Sequence, residues 1–441
     1  MNSVVKKSAL IRVIRGEKNP SKKAKSQKPK DNSQINPLQF WNLIPILYIC
    51  AMIQRTAEHE LRQLAEQFKA VALIGPRQSG KTTLTRSVFS DKPYVSLENP
   101  DQRRFALEDP RGFLSQYSGG AIFDEIQRAP ELLSYLQQLL DETQEPGKFI
   151  LTGSNNILMQ DHIVQSLAGR VAYLTLLPFS GEELKERQAS DVTTMMYKGF
   201  YPPIYDQPVT PQRWYANYIR TYVERDVRQI KNIMDLYAFE RFIQLCAGRI
   251  GQLLNMNSLA VEAGIDNKTV QSWLGVLENS YVLFRLQPYH NSFNKRLVKM
   301  PKLYFYDTGL ACSLLGIQDP SQLQNHPIRG SLFENMVVLE ILKHLSNHGI
   351  NNKLYFWRNH TGWEIDLLID TAGGPIPIEI KSGQTLQSDL FKNLLYWQQL
   401  SQQKLGCLVY GGQETQTRSS GITVLPWSRS TEVFSLMRNE K

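Results

Sequence analysis

The stretch from Ala70 to Thr82 reads AVALIGPRQSGKT, and it constrains the fold more than any other part of the chain. A short buried-strand pattern stops at Gly75, and a helix pattern opens near Lys81. Between them lies GxxxxGK[ST], made by Gly75, Pro76, Arg77, Gln78, Ser79, Gly80, Lys81 and Thr82, with Thr83 following. The two glycines let the backbone bend so that successive N–H groups face inward, toward phosphate oxygens. The helix after the loop offers the positive end of its dipole to the same anion. Lys81 then reaches the β and γ oxygens of a nucleoside triphosphate, and the Thr82 hydroxyl completes a Mg²⁺ shell. The bland alternative is a glycine-rich turn with no ligand.

A second element strengthens the first. AIFDE (residues 121–125) is an apolar strand ending in two acids. Asp124 at the tip would hold Mg²⁺, commonly through water. Glu125, pointing the other way in the strand period, can accept a proton from an attacking water. KFILTGSNN supplies Ser154 and Asn155 at another strand end, either to hydrogen-bond that water or the γ-phosphate, or simply to form a turn. Arg170, in SLAGRVAYL, is a candidate for stabilising transition-state charge, in cis or from a neighbouring subunit. A surface ion pair is the equal alternative.

AVALIG, YVSLE, AIFDE and KFILTGS read as four strands alternating with helices, the signature of an α/β domain over residues 52–185. An aromatic-rich helical connector, residues 186–240, includes YVERDVRQI, where Arg225 and Asp226 suit a structural salt bridge. Residues 241–310 contain two short helices broken at Gly264-Ile265-Asp266, then strands VLFRL and KLYFYD. That order is helix-turn-helix plus wing. Lys268, Thr269, Gln271 and Ser272 would face a DNA groove, and Lys295, Arg296, Lys299 and Lys302 would form a basic wing. The same module can instead serve as a packing or partner surface. In residues 325–430, the amphipathic helix SLFENMVVLEILKHL precedes strands LYFW, EIDLLID, IPIEIK and CLVYG.

The net charge of +9 resembles a nucleic-acid signal until its distribution is read. Residues 1–51 hold ten Lys/Arg against Glu17 and Asp31, which is 10 − 2 = +8 and leaves 9 − 8 = +1 for the remainder. Basicity therefore says little about what the folded body binds. The Lys-rich arm is expected to be disordered, and a translation start at Met52, with residues 1–51 a mis-assigned extension, is preferred to a basic arm that touches nucleic acid or anionic lipid. Cys50, Cys246, Cys312 and Cys407 are scattered, as free thiols of a reducing cytoplasm would be. The apolar run at residues 43–53 is shorter than the roughly 20 residues of a spanning helix, so no membrane partner is expected.

In EIDLLIDTAGGPIPIEIKSG, strand alternation puts Glu364, Asp366, Leu368 and Asp370 on one face and Glu379 and Lys381 on the matching face of the return strand. With the turn on Gly373-Gly374, Asp366 faces Lys381 and lies diagonal to Glu379. Asp366 and Glu379 could share a divalent cation, with Lys381 beside them and Glu334 as a fourth member. The same pattern permits an exposed, ion-paired sheet.

GPRQSGKTTL, YVSLENPDQRRFALEDP, IFDEIQ, ILTGSNN, LAGRV, YVERDVRQI, YFYDTGLA, LFEN, WRNHTGWEIDLLID and IPIEIKSG together resemble the prokaryotic AAA-like ATPases. Members of that family carry a C-terminal domain of unknown function with a restriction-endonuclease-like core. The resemblance runs from about Met52 to about residue 425. It implies a P-loop NTPase parallel sheet, then a winged helix and a C-terminal α/β restriction-endonuclease-like domain. ATP with Mg²⁺ is the implied cofactor. Two functions stay open: an ATPase that acts on DNA, and a regulatory ATPase whose C-terminal domains only bind a protein or DNA partner. Substrate, pathway and oligomeric state are not implied.

Overall fold

The computed structural model describes residues 53–154, 167, 169–185, 191–223, 235–290 and 298–437. The chain divides into two units, Met1–Met52 and Ile53–Lys441, and every described residue belongs to the second. The expected disordered arm, Cys50, Asn155, Arg225, Asp226, Lys295 and Arg296 lie outside the described residues.

β1 (Ala70–Ile74), β2 (Tyr94–Ser96), β3 (Ala121–Asp124), β4 (Phe149–Gly153) and β5 (Val171–Thr175) form one sheet in the order β2-β3-β4-β1-β5. Every pairing in it is parallel. β1 is buried along its whole length because both sheet faces are covered. Ala70, Ala72 and Ile74 pack under helix Leu132–Glu142, while Val71 and Leu73 pack under helices Ala57–Gln67 and Lys81–Val88. Alternate side chains thus enter opposite cores. β5 was not among the four strands expected from the sequence.

Helices Met256–Ala263 and Asn267–Asn279 flank Gly264, whose φ of 73° ends the first helix. Asp266 caps the second by accepting the Thr269 N–H at 2.9 Å. β6 (Leu283–Pro288) and β7 (Lys302–Phe305) follow as an antiparallel pair. β6 also pairs in parallel with β8 (Leu354–Arg358), through Gln287↔Tyr355 and Pro288↔Phe356. β9 (Glu364–Ile369), β10 (Ile376–Lys381), β11 (Gly406–Tyr410), β12 (Gln416–Thr417) and β13 (Ile422–Pro426) complete the second sheet. Its order is β12-β13-β11-β10-β9-β8-β6-β7, so strands of the 241–310 and 325–430 segments share one sheet.

Helix Arg329–Asn347 carries buried residues on every side, including Asn335, Glu340 and Lys343, where the sequence suggested an amphipathic helix. It is enclosed because it touches β5 and helix Ala57–Gln67 of the first sheet's layer and β10 of the second. Asn335, Glu340 and Lys343 each have partners: Glu340 accepts the Gly181 N–H at 2.6 Å, and Lys343 donates to Glu340 at 2.9 Å and to the Phe179 carbonyl at 2.8 Å. Asn335 accepts the Phe305 N–H at 2.7 Å and donates to the Phe305 carbonyl at 2.9 Å. Cys246, Cys312 and Cys407 are buried free thiols. Among the described residues no helix is long and apolar enough to cross a membrane.

Candidate functional site

The loop after β1 takes a shape that only glycine permits at its ends. Gly75 has φ 146°, and a Cβ there would lie 2.2 Å from the Leu176 carbonyl oxygen. Gly80, at φ 95°, turns the chain into helix Lys81–Val88. Gln78 is left-handed as well, at φ 60°, a conformation costing a non-glycine residue roughly 1–2 kcal/mol. Lys81 is buried, and its ammonium donates to the carbonyls of Gly75 at 2.9 Å and Pro76 at 2.7 Å. The first turn of helix Lys81–Val88 follows directly on Gly80, so the positive end of its dipole faces the same loop. Gln78 also lines a cavity of about 350 Å³ with Arg213, Trp214, Asn217 and Tyr218.

Asp124 ends β3 beside this loop, and three hydroxyls hold its carboxylate. Thr82 donates to Oδ1 at 3.0 Å, Thr152 donates to the same oxygen, and Tyr94 donates to Oδ2 at 2.8 Å. Burial and the Asp124 contact push the Tyr94 phenol up to about 12. Glu125 differs from its expected setting. It is not part of the strand period, because β3 stops at Asp124 and Glu125 is left-handed at φ 57°. That turn aims its carboxylate at β4, where Ser154 donates to Oε2 at 3.0 Å and Gln127 donates to the same oxygen. The Glu125 N–H donates to Thr152 Oγ at 3.2 Å. Thr152 therefore ties both acids to β4. It was missed because a Thr in an apolar strand reads as a β-former.

A second residue missed by sequence reasoning is Arg55, ahead of the first helix. Its guanidinium donates to the Ser79 carbonyl at 2.6 Å, the Leu177 carbonyl at 2.7 Å and Glu183 Oε1 at 3.0 Å. It is only 7% exposed and braces the outer side of the phosphate loop.

Arg170 is placed away from the loop. It precedes β5, whose Val171 pairs with Ala70 at the start of β1, whereas the phosphate loop follows the end of β1. Five strand residues at about 3.3 Å each separate the two ends. The guanidinium bonds Asp141 instead, at 3.1 Å from Nη2 to Oδ2, and holds that carboxyl below its ordinary value. The register thus places Arg170 toward the opposite end of the sheet from the phosphate loop.

The hairpin differs from expectation in two respects. The Gly374 N–H closes a turn onto the Thr371 carbonyl at 3.0 Å, so the turn centres on Ala372-Gly373, and Gly374 takes φ 111°. Moving the centre by one residue shifts the pairing by two, and the ladder runs Ile376↔Ile369 to Ile378↔Leu367. Continued by one step, that register would set Glu379 across from Asp366. The second difference is a bulge: Tyr355 pairs Leu368 and Trp357 pairs Ile365, so Asp366 and Leu367 together oppose Phe356. Strict alternation fails there. Ile365 and Leu368 enter one core while Leu367 and Ile369 enter the other. The two candidate acids do not lie on a wet face, since Asp366 is 7% and Glu379 1% exposed, while Glu364, Asp370 and Lys381 are partly exposed.

One ammonium serves both acids: Lys381 Nζ lies 3.2 Å from Asp366 Oδ2 and 2.6 Å from Glu379 Oε1. Asp366 Oδ2 also accepts the Ile380 N–H at 2.8 Å, and Glu379 Oε1 accepts from Asn393 at 2.8 Å. Glu379 Oε2 is buried with no hydrogen-bond partner. Burial, then the Asp366 charge, push the Glu379 carboxyl up to about 8, against the pull of Lys381. Lys302, expected on an exposed basic wing, is buried in β7 and bonds Glu364 and Glu334, the latter at 2.9 Å. The chain reverses its expected role because β7 turns its first side chain under helix Arg329–Asn347. Burial alone pulls the Lys302 ammonium down, yet Tyr304, Glu334, Asp366 and Glu364 hold it well above its ordinary value. Among the described residues no group of three or more His, Cys, Asp or Glu side chains stands ready to hold a metal ion.

The parallel sheet, the phosphate loop and the acid-tipped β3 define the class, a P-loop ATPase domain. Residues 67–185 match the family model described as an AAA domain, residues 189–321 a domain of unknown function (DUF8612), and residues 329–429 another (DUF4143). The uncharacterized proteins Rv2008c of Mycobacterium tuberculosis and Mb2031c of Mycobacterium bovis are each 32% identical over 384 residues, covering 86% of this chain and 84% of theirs. The chain belongs to the family of these two mycobacterial proteins. An uncharacterized Haemophilus influenzae protein is 22% identical over 330 residues, 66% of this chain and 79% of its own. Among solved structures, the chain is similar to the Walker-type ATPase PABY2304 of Pyrococcus abyssi, at 16% identity over 60% of this chain and 96% of that one, TM-score 0.41. AMPPCP-bound DnaA from Aquifex aeolicus is 13% identical over 50% of this chain and 85% of its own, TM-score 0.27.

Proposed function

We propose that the chain binds ATP with Mg²⁺ and hydrolyses it, in the cytoplasm, and that hydrolysis drives a change in its C-terminal half. The observation that carries the reading is the meeting of the phosphate loop with Asp124 and Glu125 across Thr82, Thr152 and Ser154. Loop N–H groups from Gly75 to Thr83 cradle the phosphates, and Lys81 exchanges its two carbonyl partners for β and γ oxygens. Thr82 Oγ and Asp124 Oδ1, 3.0 Å apart, suit two positions on one Mg²⁺ ion, which supplies positive charge to the phosphates. Glu125 takes the proton of the attacking water, and Ser154 fixes its carboxylate. Arg170 is read as acting across a subunit boundary. The test is ATP turnover by the purified chain with and without Mg²⁺; an absence of ATP binding overturns the reading.

For the C-terminal half we propose a nuclease-type site rather than an ion-paired surface. The buried, partnerless Glu379 Oε2 beside Asp366 favours it. Asp366 and Glu379 would hold one divalent cation, which would supply charge to a phosphodiester, and Lys381 steadies the pair. The module at residues 241–310 is read as a winged helix, presenting Lys268 and Thr269 toward DNA. The alternative, a regulatory ATPase whose C-terminal half only binds a protein or DNA partner, is favoured by the ammonium groups already among the acids. Mn²⁺-dependent cleavage of DNA by the full chain separates the two. No cleavage, together with partner binding that depends on ATP, supports the alternative.

A further inference from the structure

Lys302 is a buried cation that neither the phosphate loop nor the proposed metal pair uses. Its side chain is 3% exposed, and its ammonium sits inside an arc of acids. Glu334 Oε1 is at 2.9 Å, Glu364 bonds it directly, and Asp366 Oδ1 is at 4.0 Å. Tyr304 donates to the same Glu334 oxygen, and Arg358 reaches the far oxygen of Glu364 at 3.0 Å. The three acids come from helix Arg329–Asn347 and from β9, while the lysine comes from β7, so the cluster is completed by a strand of the preceding segment.

We propose that Lys302 is a built-in cation standing where a second divalent ion would otherwise sit. It confines metal uptake in the cluster to a single ion at Asp366 and Glu379. The inference rests on the nuclease-type reading of that pair. Charge decides between ammonium and metal. With every group ionised, as metal uptake requires, Glu334, Glu364, Asp366 and Glu379 carry −4, while Lys302, Lys381 and Arg358 carry +3, which is 3 − 4 = −1. One divalent ion takes the cluster to +1, but two would take it to +3 in a buried setting, which is strongly unfavourable. Without Lys302 the cluster holds −2, so one divalent ion brings it to zero and two bring it to +2 rather than +3. Glu334, Glu364 and Asp366 would then surround the vacated position with carboxylate oxygens, the donors such ions take. Lys302 is thus a positioning residue. It holds Glu334 and Glu364 apart from Asp366, so that Asp366 serves Glu379 and Lys381.

The experiment uses the full chain without nucleotide, with Mn²⁺ as the probe. Stoichiometry is read by titration calorimetry and the melting temperature is followed against Mn²⁺. The wild type takes up at most one ion in the cluster. Lys302→Met takes up one more, and Mn²⁺ raises its melting temperature more than that of the wild type. Both gains vanish in Lys302→Met/Glu334→Gln, which keeps the net charge of the wild type and so folds without the added ion. A Lys302→Met protein that folds only with Mn²⁺ supports the proposal equally. If Lys302→Met shows wild-type stoichiometry and melting response, or stays unfolded whatever the Mn²⁺ level, the proposal is overturned. A wild-type ion lost in Glu334→Gln also overturns it, since Glu334 would already hold metal. A wild type that binds no Mn²⁺ removes the Asp366–Glu379 reading instead, and the Lys302→Met comparison still decides the role of Lys302.

Discussion

Replacing Arg55 with methionine removes the brace on the phosphate loop while keeping much of the side-chain volume. Arg55 is 7% exposed and its partner Glu183 1%, so the substitution leaves a buried carboxylate without its cation. Breaking such a pair from one side costs about 3–5 kcal/mol. The Ser79 and Leu177 carbonyls also lose their donor. Some of the loss is offset, because Glu183 keeps the Thr56 N–H at 2.8 Å and the Ser180 N–H at 2.8 Å. A net loss of about 3 kcal/mol is expected, a large part of the roughly 5–15 kcal/mol that holds a folded protein together. Urea denaturation reads it as a lower midpoint at unchanged slope. Glu183→Gln in the same background removes the orphaned charge but gives up one of those two N–H bonds, so it should recover at most about 1 kcal/mol, as pairs in direct contact do not add. ATP affinity should fall in Arg55→Met, because the Ser79 segment loses its anchor. An Arg55→Met protein within about 0.5 kcal/mol of wild type, or one made worse by Glu183→Gln, refutes the reasoning.

Thr152→Val keeps the shape of β4 but strips the hydroxyl shared by Asp124 and the Glu125 N–H. Stability should drop by about 1–3 kcal/mol and turnover should fall while ATP still binds; wild-type turnover in this variant would make the contact incidental. The Glu379 carboxyl, raised from 4.5 to about 8, contributes stability that is fully present below about pH 4.5 and is lost as pH rises through about 8. Urea midpoints should therefore fall over that window while Mn²⁺ uptake rises, and Glu379→Gln should flatten both; an unchanged slope in the variant would assign the effect to another group. A chain starting at Ile53 retains Arg55, the whole first sheet and the phosphate loop, so its ATP affinity should equal that of the full chain in a fluorescent-nucleotide titration.

The parts of the fold legible in the sequence were those set by local rules. Gly75, Gly80 and Lys81 sit where a phosphate loop needs them, and Gly264 and Asp266 end and start helices as their backbone preferences dictate. What escaped depends on distant partners. β5 is a short strand whose place comes only from pairing with β1. Lys302 reads as a wing residue until its ammonium is known to reach Glu334 of helix Arg329–Asn347 and Glu364 of β9. The Asp366–Glu379 pairing turned on a turn displaced by one residue and a bulge opposite Phe356, neither of which leaves a compositional mark. Arg55 and Thr152 are ordinary residue types in ordinary positions, and only the folded chain brings them to the loop and the acids.

The central claim is that the phosphate loop and the acid pair form a hydrolytic centre with separate roles for binding and chemistry. ATP affinity and single-turnover hydrolysis in Lys81→Ala and Glu125→Gln test it most directly. Lys81 contacts the phosphates, so Lys81→Ala should bind ATP weakly and hydrolyse none. Glu125→Gln keeps the hydrogen bonds to Ser154 and the size of the side chain but lacks the base, so it should bind ATP as wild type does and leave it intact. Equal loss of binding in both variants, or wild-type hydrolysis by Glu125→Gln, would contradict the account.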